Sequence, residues 1–304
     1  MLQSSVISER NNLQAIIYLV VGIFSLSMMD ATAKWLVHAN YEVVQILAVR
    51  GWIVTAILLV YAVFNGGLRK QLYTKRLRDH AVRTAFAYLA PFCFFTSLQT
   101  LPLADATVIF FAAPFIMTAL SVPLFKEKVG LHRWAAIVIG FIGVLVALQP
   151  GSDGFHPMAL VVVVGCVFYA VTTLAVRWLG STESTFKIVF YFNFGVALIS
   201  TIFAPFVWVP MTLLDIGVVA GMAGLALCGH VFVSRAFNTG QVGVIAPFEY
   251  SALLWTTIIG FLIWDDLPSS QVWSGAVIII GSGLYIIHRE RRQKKAATPA
   301  KRPA

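Results

Sequence analysis

Charge is scarce in this chain. Of its 304 residues, 22 are Lys or Arg and 13 are Asp or Glu, 12% together, whereas a soluble domain carries about 25%. Cysteine is nearly as rare. Cys93, Cys166 and Cys228 stand singly inside apolar stretches, with no metal-ligand or redox spacing, so a disulfide frame and a thiolate metal centre are both excluded. They read as small apolar core residues. No HExxH, GxSxG or paired intramembrane aspartates are present, which argues against an intramembrane enzyme. No charged ring or filter-like loop repeats about an axis, so a channel is disfavoured too. Nothing in the sequence calls for a cofactor or a metal.

Apolar length is what the chain has in excess. Its hydrophobic share is 59% and its mean hydropathy +0.83. Ten segments are long and apolar enough to cross a bilayer core of roughly 30 Å. They lie near 13–37, 43–64, 81–100, 104–125, 132–149, 157–178, 185–209, 213–236, 242–264 and 270–288. The expected class is an all-α integral membrane protein. An N-terminal tail (1–12) and a basic tail (289–304) flank the spans.

The net charge of +9 is distributed by side. With the N-terminus in the cytoplasm, twenty of the 22 cations fall on the cytoplasmic side, including Arg69, Lys70, Lys75, Arg76, Arg78 and Arg83. Only Lys34 and Arg50 lie in the outer halves of spans, and the outer loops carry Asp153, Asp215, Asp265 and Asp266. This positive-inside pattern places both termini in the cytoplasm of a bacterial inner membrane. Arg10, an apolar run and Ala31-Thr32-Ala33 imitate a cleavable signal, but the repeat described next argues against cleavage. The tail from Arg289 has too few apolar residues to build a core. It suits anionic lipid headgroups and lacks the folded basic face that nucleic acid would need.

Residues 15–36 align without a gap on 158–179. The alignment pairs Gly22 with Gly165, Lys34 with Arg177, Trp35 with Trp178 and Leu36 with Leu179. Each stretch opens one half of the chain and four more spans follow it. The halves are 13–149 and 157–288. Five crossings per unit force the second copy to insert upside down, giving ten spans as two inverted five-helix repeats around a central cavity. That architecture belongs to alternating-access carriers, with substrate held between the halves. An offset of 139 further pairs Trp134 with Trp273 and Glu127 with Asp266. Small residues at Ala136, Gly140, Gly143 and Ala147, and at Gly275, Ser282 and Gly283, predict close packing of the fifth and tenth spans. Gly217, Gly221, Gly224 and Gly229 predict the same for the eighth.

Two segments carry a family resemblance. PLADATVIFFAAPFIMTALSVPLFKEK with HRWAAIVIGFIGVLVAL, and APFEYSALLWTTIIGFLIWDDLPSSQVWSGAVIIIGSGLYI, resemble the two EamA repeats of the drug/metabolite transporter superfamily. MMDATAKWL…VVQILAVRG with APFEY…LLW is similar to the branch that includes S-adenosylmethionine and riboflavin uptake carriers. The resemblance implies a ten-helix basket with spans 1–4 and 6–9 around the cavity and 5 and 10 peripheral. Asp265-Asp266 replaces the Glu usual at the end of the ninth span. No universal catalytic residue comes with the family. The expectation is a secondary transporter that takes up a small polar or partly aromatic metabolite, a vitamin such as riboflavin or S-adenosylmethionine, with export of amino acids or related metabolites as the alternative reading.

Ionisable groups inside the hydrocarbon are costly and so are candidates for function. Asp30 lies about 9 Å below the outer surface and Arg50 at a similar depth. Lys34 follows Asp30 by one helical turn, so the three are expected to form an outer cluster of net charge +1, suited to a carboxylate, or else a self-satisfied structural pair. Asn193 occupies the Arg50 position in the second copy. His230 and Glu249 lie about 10 Å from the inner surface, a pairing suited to proton coupling. Tyr88, Tyr169, Tyr191, Tyr250, Trp255 and Phe110 are candidates to line the cavity and stack on a planar ligand. Pro91, Pro114 and Pro247 are expected to break the third, fourth and ninth spans. The expected partners are a small molecule, the lipid bilayer and a coupling proton; a second copy of the chain is left open.

Overall fold

The computed structural model describes residues 2–126, 130–152 and 154–297, with side chains from 11 to 289 apart from Val242. Glu127 and Asp153 therefore lie outside the described residues. The chain is helical throughout: α1 (Leu2–His38), α2 (Val43–Phe64), α3 (Leu68–Leu72), α4 (Leu77–Ser97), α5 (Leu103–Phe110), α6 (Ala113–Phe125) and α7 (Leu131–Leu148) form the first half. The second half contains α8 (Met158–Leu179), α9 (Thr185–Phe203), α10 (Leu213–Thr239), α11 (Val242–Ile245), α12 (Ser251–Trp264) and α13 (Ser270–Ala297).

Nine stretches among the described residues are long and apolar enough to cross a membrane. The tenth expected span is α4. It has the length, but its first turns carry Arg78, Asp79 and Arg83 and dilute its apolar character. The protein is a multi-pass membrane protein, and side chains such as Leu198, Ile202 and Phe203 on α9 stay exposed on its outside, as a lipid-facing helix requires.

Prolines explain the broken spans. Proline donates no N–H and pushes the preceding residue out of the α region. The fourth span is accordingly split into α5 and α6, with Pro114 in the first turn of α6. The ninth is split by a 3₁₀ turn, Ala246–Tyr250, which contains Pro247. Pro91 does otherwise: α4 runs through it without interruption, which corrects the expected break. Its ring still frees the carbonyl of Ala87 four residues back, and both residues lie on the wall of the central cavity. The two broken spans end alike, on Lys126 with φ 54° and on Asp265 with φ 57°. These left-handed caps are 139 residues apart, so the repeat is written in the backbone as well as the sequence.

The principal helix pairs all cross between halves: α1 packs on α10, α4 on α8, α2 on α9 and α7 on α13. Exchanging the two halves converts the first pair into the second and leaves the other two unchanged. Small residues permit these approaches. A Cβ on Gly22 would sit 3.1 Å from the Gly229 carbonyl oxygen, and one on Gly275 would sit 2.6 Å from that of Gly143. In lipid, where no hydrophobic effect drives association, such backbone contact is a main source of attraction. Gly217, Gly221 and Gly224 meet nothing within 4 Å, so only Gly229 of that row serves packing.

At the end holding the α3–α4 link, Glu183 forms a clasp. It accepts from Thr74 at 2.6 Å and pairs with Lys187 at 3.2 Å. Burial pushes its carboxyl up, but the Thr74 and Lys187 bonds outweigh that and hold it below its ordinary value.

Candidate functional site

A cavity of about 430 Å³ lies between the halves, within the range of small-molecule sites. Its first-half wall comes from α1 (Leu26, Met29, Asp30), Arg50 of α2, Arg83 to Phe95 of α4, and Phe110. Its second-half wall comes from Tyr169, Thr172, Thr173 and Val176 of α8, Phe192 of α9 and His230 of α10. Both copies of the opening repeat helix contribute at matching positions: Met29 and Asp30 align with Thr172 and Thr173.

Five of the sequence candidates meet here: Asp30, Arg50, Phe110, Tyr169 and His230. Arg50 is within electrostatic reach of both Asp30 and His230, and its Nε is buried without a hydrogen-bond partner among the described residues. Beside these charges stands an aromatic wall. Phe110 meets Phe94 edge-on with ring centroids 5.2 Å apart, and meets Tyr169 in the same manner at 5.2 Å. A group of mixed charge next to aromatic faces can orient a zwitterionic head while stacking on a planar ring.

Lys34 does not join Asp30 and Arg50, which corrects the expected three-residue cluster. Its Nζ pairs instead with Asp266 and lies 4.7 Å from the centre of the Trp264 ring. The reason is direction: Lys34 leaves the C-terminal end of α1 toward the end of α12, and it takes no part in the cavity wall. Asp105 of α5 is in electrostatic reach of both Lys34 and Asp266, and its Oδ1 is buried without a partner among the described residues. His38 adds a contact of 3.1 Å to the Leu98 carbonyl. With Leu36, Leu98 and Leu103 fully buried, this end of the cavity is sealed.

The remaining candidates lie off the cavity wall. Tyr88 is buried and stacks on Phe92 at 5.7 Å. Asn193 donates to the Val189 carbonyl of its own helix at 2.9 Å; an i−4 backbone acceptor was within its reach, so it does not match Arg50. Tyr191 donates to the Leu72 carbonyl at 2.7 Å. Tyr250 meets Phe111 edge-on at 5.2 Å, and its hydroxyl fills the space that a Gly283 side chain would need. Trp255 packs edge-on against Phe24 at 5.1 Å. Glu249 is exposed and close enough to Tyr169 and Tyr250 for its charge to act on both, so it sits at the border of the site.

Arg83 is the wall residue that sequence reasoning missed. It counts among the cytoplasmic cations by position, yet it is only 8% exposed. Its Nη1 donates to the Ile188 carbonyl at 3.0 Å, and the guanidinium lies over the Phe192 ring at 5.7 Å. The available signal was its place inside the expected third span.

Residues 13–149 match the EamA-like transporter family. Full-length relatives are similar at low identity. An S-adenosylmethionine uptake transporter of Rickettsia prowazekii is 26% identical over 282 residues, covering 92% of this chain and 94% of its own. A pseudopaline exporter of Pseudomonas aeruginosa is 27% identical over 269 residues, covering 86% and 91%. A riboflavin transporter of Vibrio cholerae is 26% identical, covering 75% and 78%. A solved crystal structure matches 95% of this chain and 99% of its own with a TM-score of 0.58 at 16% identity, a likeness of fold.

Proposed function

We propose that this chain, whose residues 13–149 match the EamA-like transporter family, is an alternating-access carrier of that family that takes up a small zwitterionic metabolite with a planar ring, of the S-adenosylmethionine type. That it is a membrane transporter follows from the family and the apolar helices; the substrate and the direction are our reading. The observation that carries it is the placement of Asp30 and Arg50 on one cavity, within electrostatic reach of each other, beside the Phe110–Tyr169 wall. An amino-acid head can present its ammonium to Asp30 and its carboxylate to Arg50, while a base stacks on the rings. The uptake name of the Rickettsia relatives supports the same choice. With both termini in the cytoplasm, the sealed Lys34–Asp266 end faces outward and the cavity faces inward.

Export is the second reading, favoured by the pseudopaline exporter at comparable identity. Coupling to a proton through Glu249 and His230, and a dimeric assembly, belong to the same proposal. Proteoliposomes with an imposed gradient test it directly. Saturable entry of labelled S-adenosylmethionine, competed by the unlabelled compound and not by riboflavin, is the expected result. Saturable entry of labelled riboflavin without entry of labelled S-adenosylmethionine would move the substrate to the vitamin, and absence of entry with both would overturn the reading. Glu249→Gln should flatten the pH dependence of transport while leaving exchange intact.

A further inference from the structure

A second hollow of about 480 Å³ runs along the outside of the α4–α8 seam. The two helices touch where Gly165 faces Cys93, since a Cβ there would stand 3.1 Å from the Cys93 Cβ. Beyond Phe86 the seam holds this groove, with apolar walls from Val82, Phe86, Val171, Ala175 and Leu179, and Arg78 and Asp79 at its end. Asp79 is already paired, 2.7 Å from Arg76 Nε.

Among the described residues, two border both this groove and the central cavity: Arg83 and Thr172. Each carries a buried polar atom with no partner among the described residues, Arg83 Nε and Thr172 Oγ1. The neighbouring Thr173 shows what is missing, for it donates to the Tyr169 carbonyl at 2.8 Å in the ordinary helical way. Buried polar atoms are rarely left unpaired without cause. Here one orphan comes from each half of the chain, both can donate, and both residues border the cavity and the groove.

We propose that Arg83 and Thr172 form an oxyanion-binding subsite at the junction of cavity and groove, taking a carboxylate or phosphate group. Guanidinium supplies charge and planar donors, and the hydroxyl adds one more. The oxyanion comes either from a soluble ligand in the central cavity or from a lipid headgroup whose chain lies along Val82 and Phe86. The inference rests on the carrier reading of the cavity, and its residues are distinct from Asp30 and Arg50.

The test uses the full-length protein in phosphatidylcholine nanodiscs, with thermal melting followed during titration. The probes are inorganic phosphate and dihexanoyl phosphatidic acid, with dihexanoyl phosphatidylcholine as the blank. At least one anionic probe should bind saturably. Its affinity should fall roughly tenfold or more in Arg83→Gln and in Thr172→Val, as expected for a lost charge-assisted hydrogen bond, and Arg83→Lys should recover part of it. Binding of both anions identifies a soluble oxyanion, and binding of phosphatidic acid alone identifies a headgroup. Thr172→Val preserves shape, so a folding defect in Arg83→Gln does not remove the test. No binding of either anion overturns the subsite, as does wild-type affinity in Thr172→Val. A protein that transports its substrate yet binds neither anion leaves the carrier reading standing while this one falls.

Discussion

Replacing Lys34 with methionine keeps the length of the side chain and removes its charge from the sealed end of the cavity. Lys34 is 2% exposed, while its partner Asp266 is 29% exposed. Breaking a buried pair from one side costs about 3–5 kcal/mol, and the partial exposure of Asp266 draws the figure toward 3. Loss of the charge above Trp264 adds about 0.5–2 kcal/mol. Asp105 decides the comparison. With Lys34 gone, Asp105 and Asp266 remain within electrostatic reach of each other without the Lys34 charge that acts on both. With Asp266→Asn instead, Lys34 retains Asp105, and the loss should be only about 1–2 kcal/mol. Lys34→Met should therefore be the more damaging change. At about 2–4 °C per kcal/mol, it should lower the melting temperature of detergent-solubilised protein by roughly 6 °C or more. Asp266→Asn should lower it by about half that or less. A reversed order, or a Lys34→Met protein melting within about 1 °C of the parent, would refute the three-residue reasoning.

Arg50→Ala should abolish transport in proteoliposomes with protein yield preserved, and normal transport would remove Arg50 from the binding set. After Cys228 is replaced by serine, single cysteines at Ser152 and Lys75 report topology. A membrane-impermeant maleimide on intact cells should label position 152 and miss position 75. The Glu183 clasp has a signed pH dependence: a carboxyl held below its ordinary value of 4.5 stabilises above that pH and loses the contribution as pH falls. Glu183→Gln should consequently lower the melting temperature at pH 7 and leave it close to the parent in acid; an equal deficit at both would assign the effect to packing.

The helical layout and internal duplication were legible because apolar length and charge placement are local, one-dimensional signals. Contacts between side chains from distant helices were not. Lys34 was assigned to Asp30 because a helical turn is visible in sequence, whereas its partner lies 232 positions away. Asp30, Arg50 and His230 were found by the cost of charge in lipid, and the cavity unites them although their depths were counted from opposite surfaces. The same rule would have found Asp105 and Arg83, which lie just inside their spans; Arg83 was instead counted with the cytoplasmic cations. Aromatic residues were least legible. Phe110 and Tyr169 form a wall, while Tyr88 and Tyr250 pack against helices, and nothing in their sequence surroundings separates the two uses.

The crossing of every principal helix pair between halves has a consequence for synthesis. When the first five spans have left the ribosome, none of their main packing partners yet exists: α1 awaits α10, α2 awaits α9, α4 awaits α8 and α7 awaits α13. The early segments must stand in the bilayer without these joints, with Arg83 lacking the Ile188 carbonyl and Gly22 and Gly143 lacking the helices they pack on. Assembly is then a late, zipper-like event that starts as the second half threads in, and a chain truncated at its midpoint is left with half of every joint.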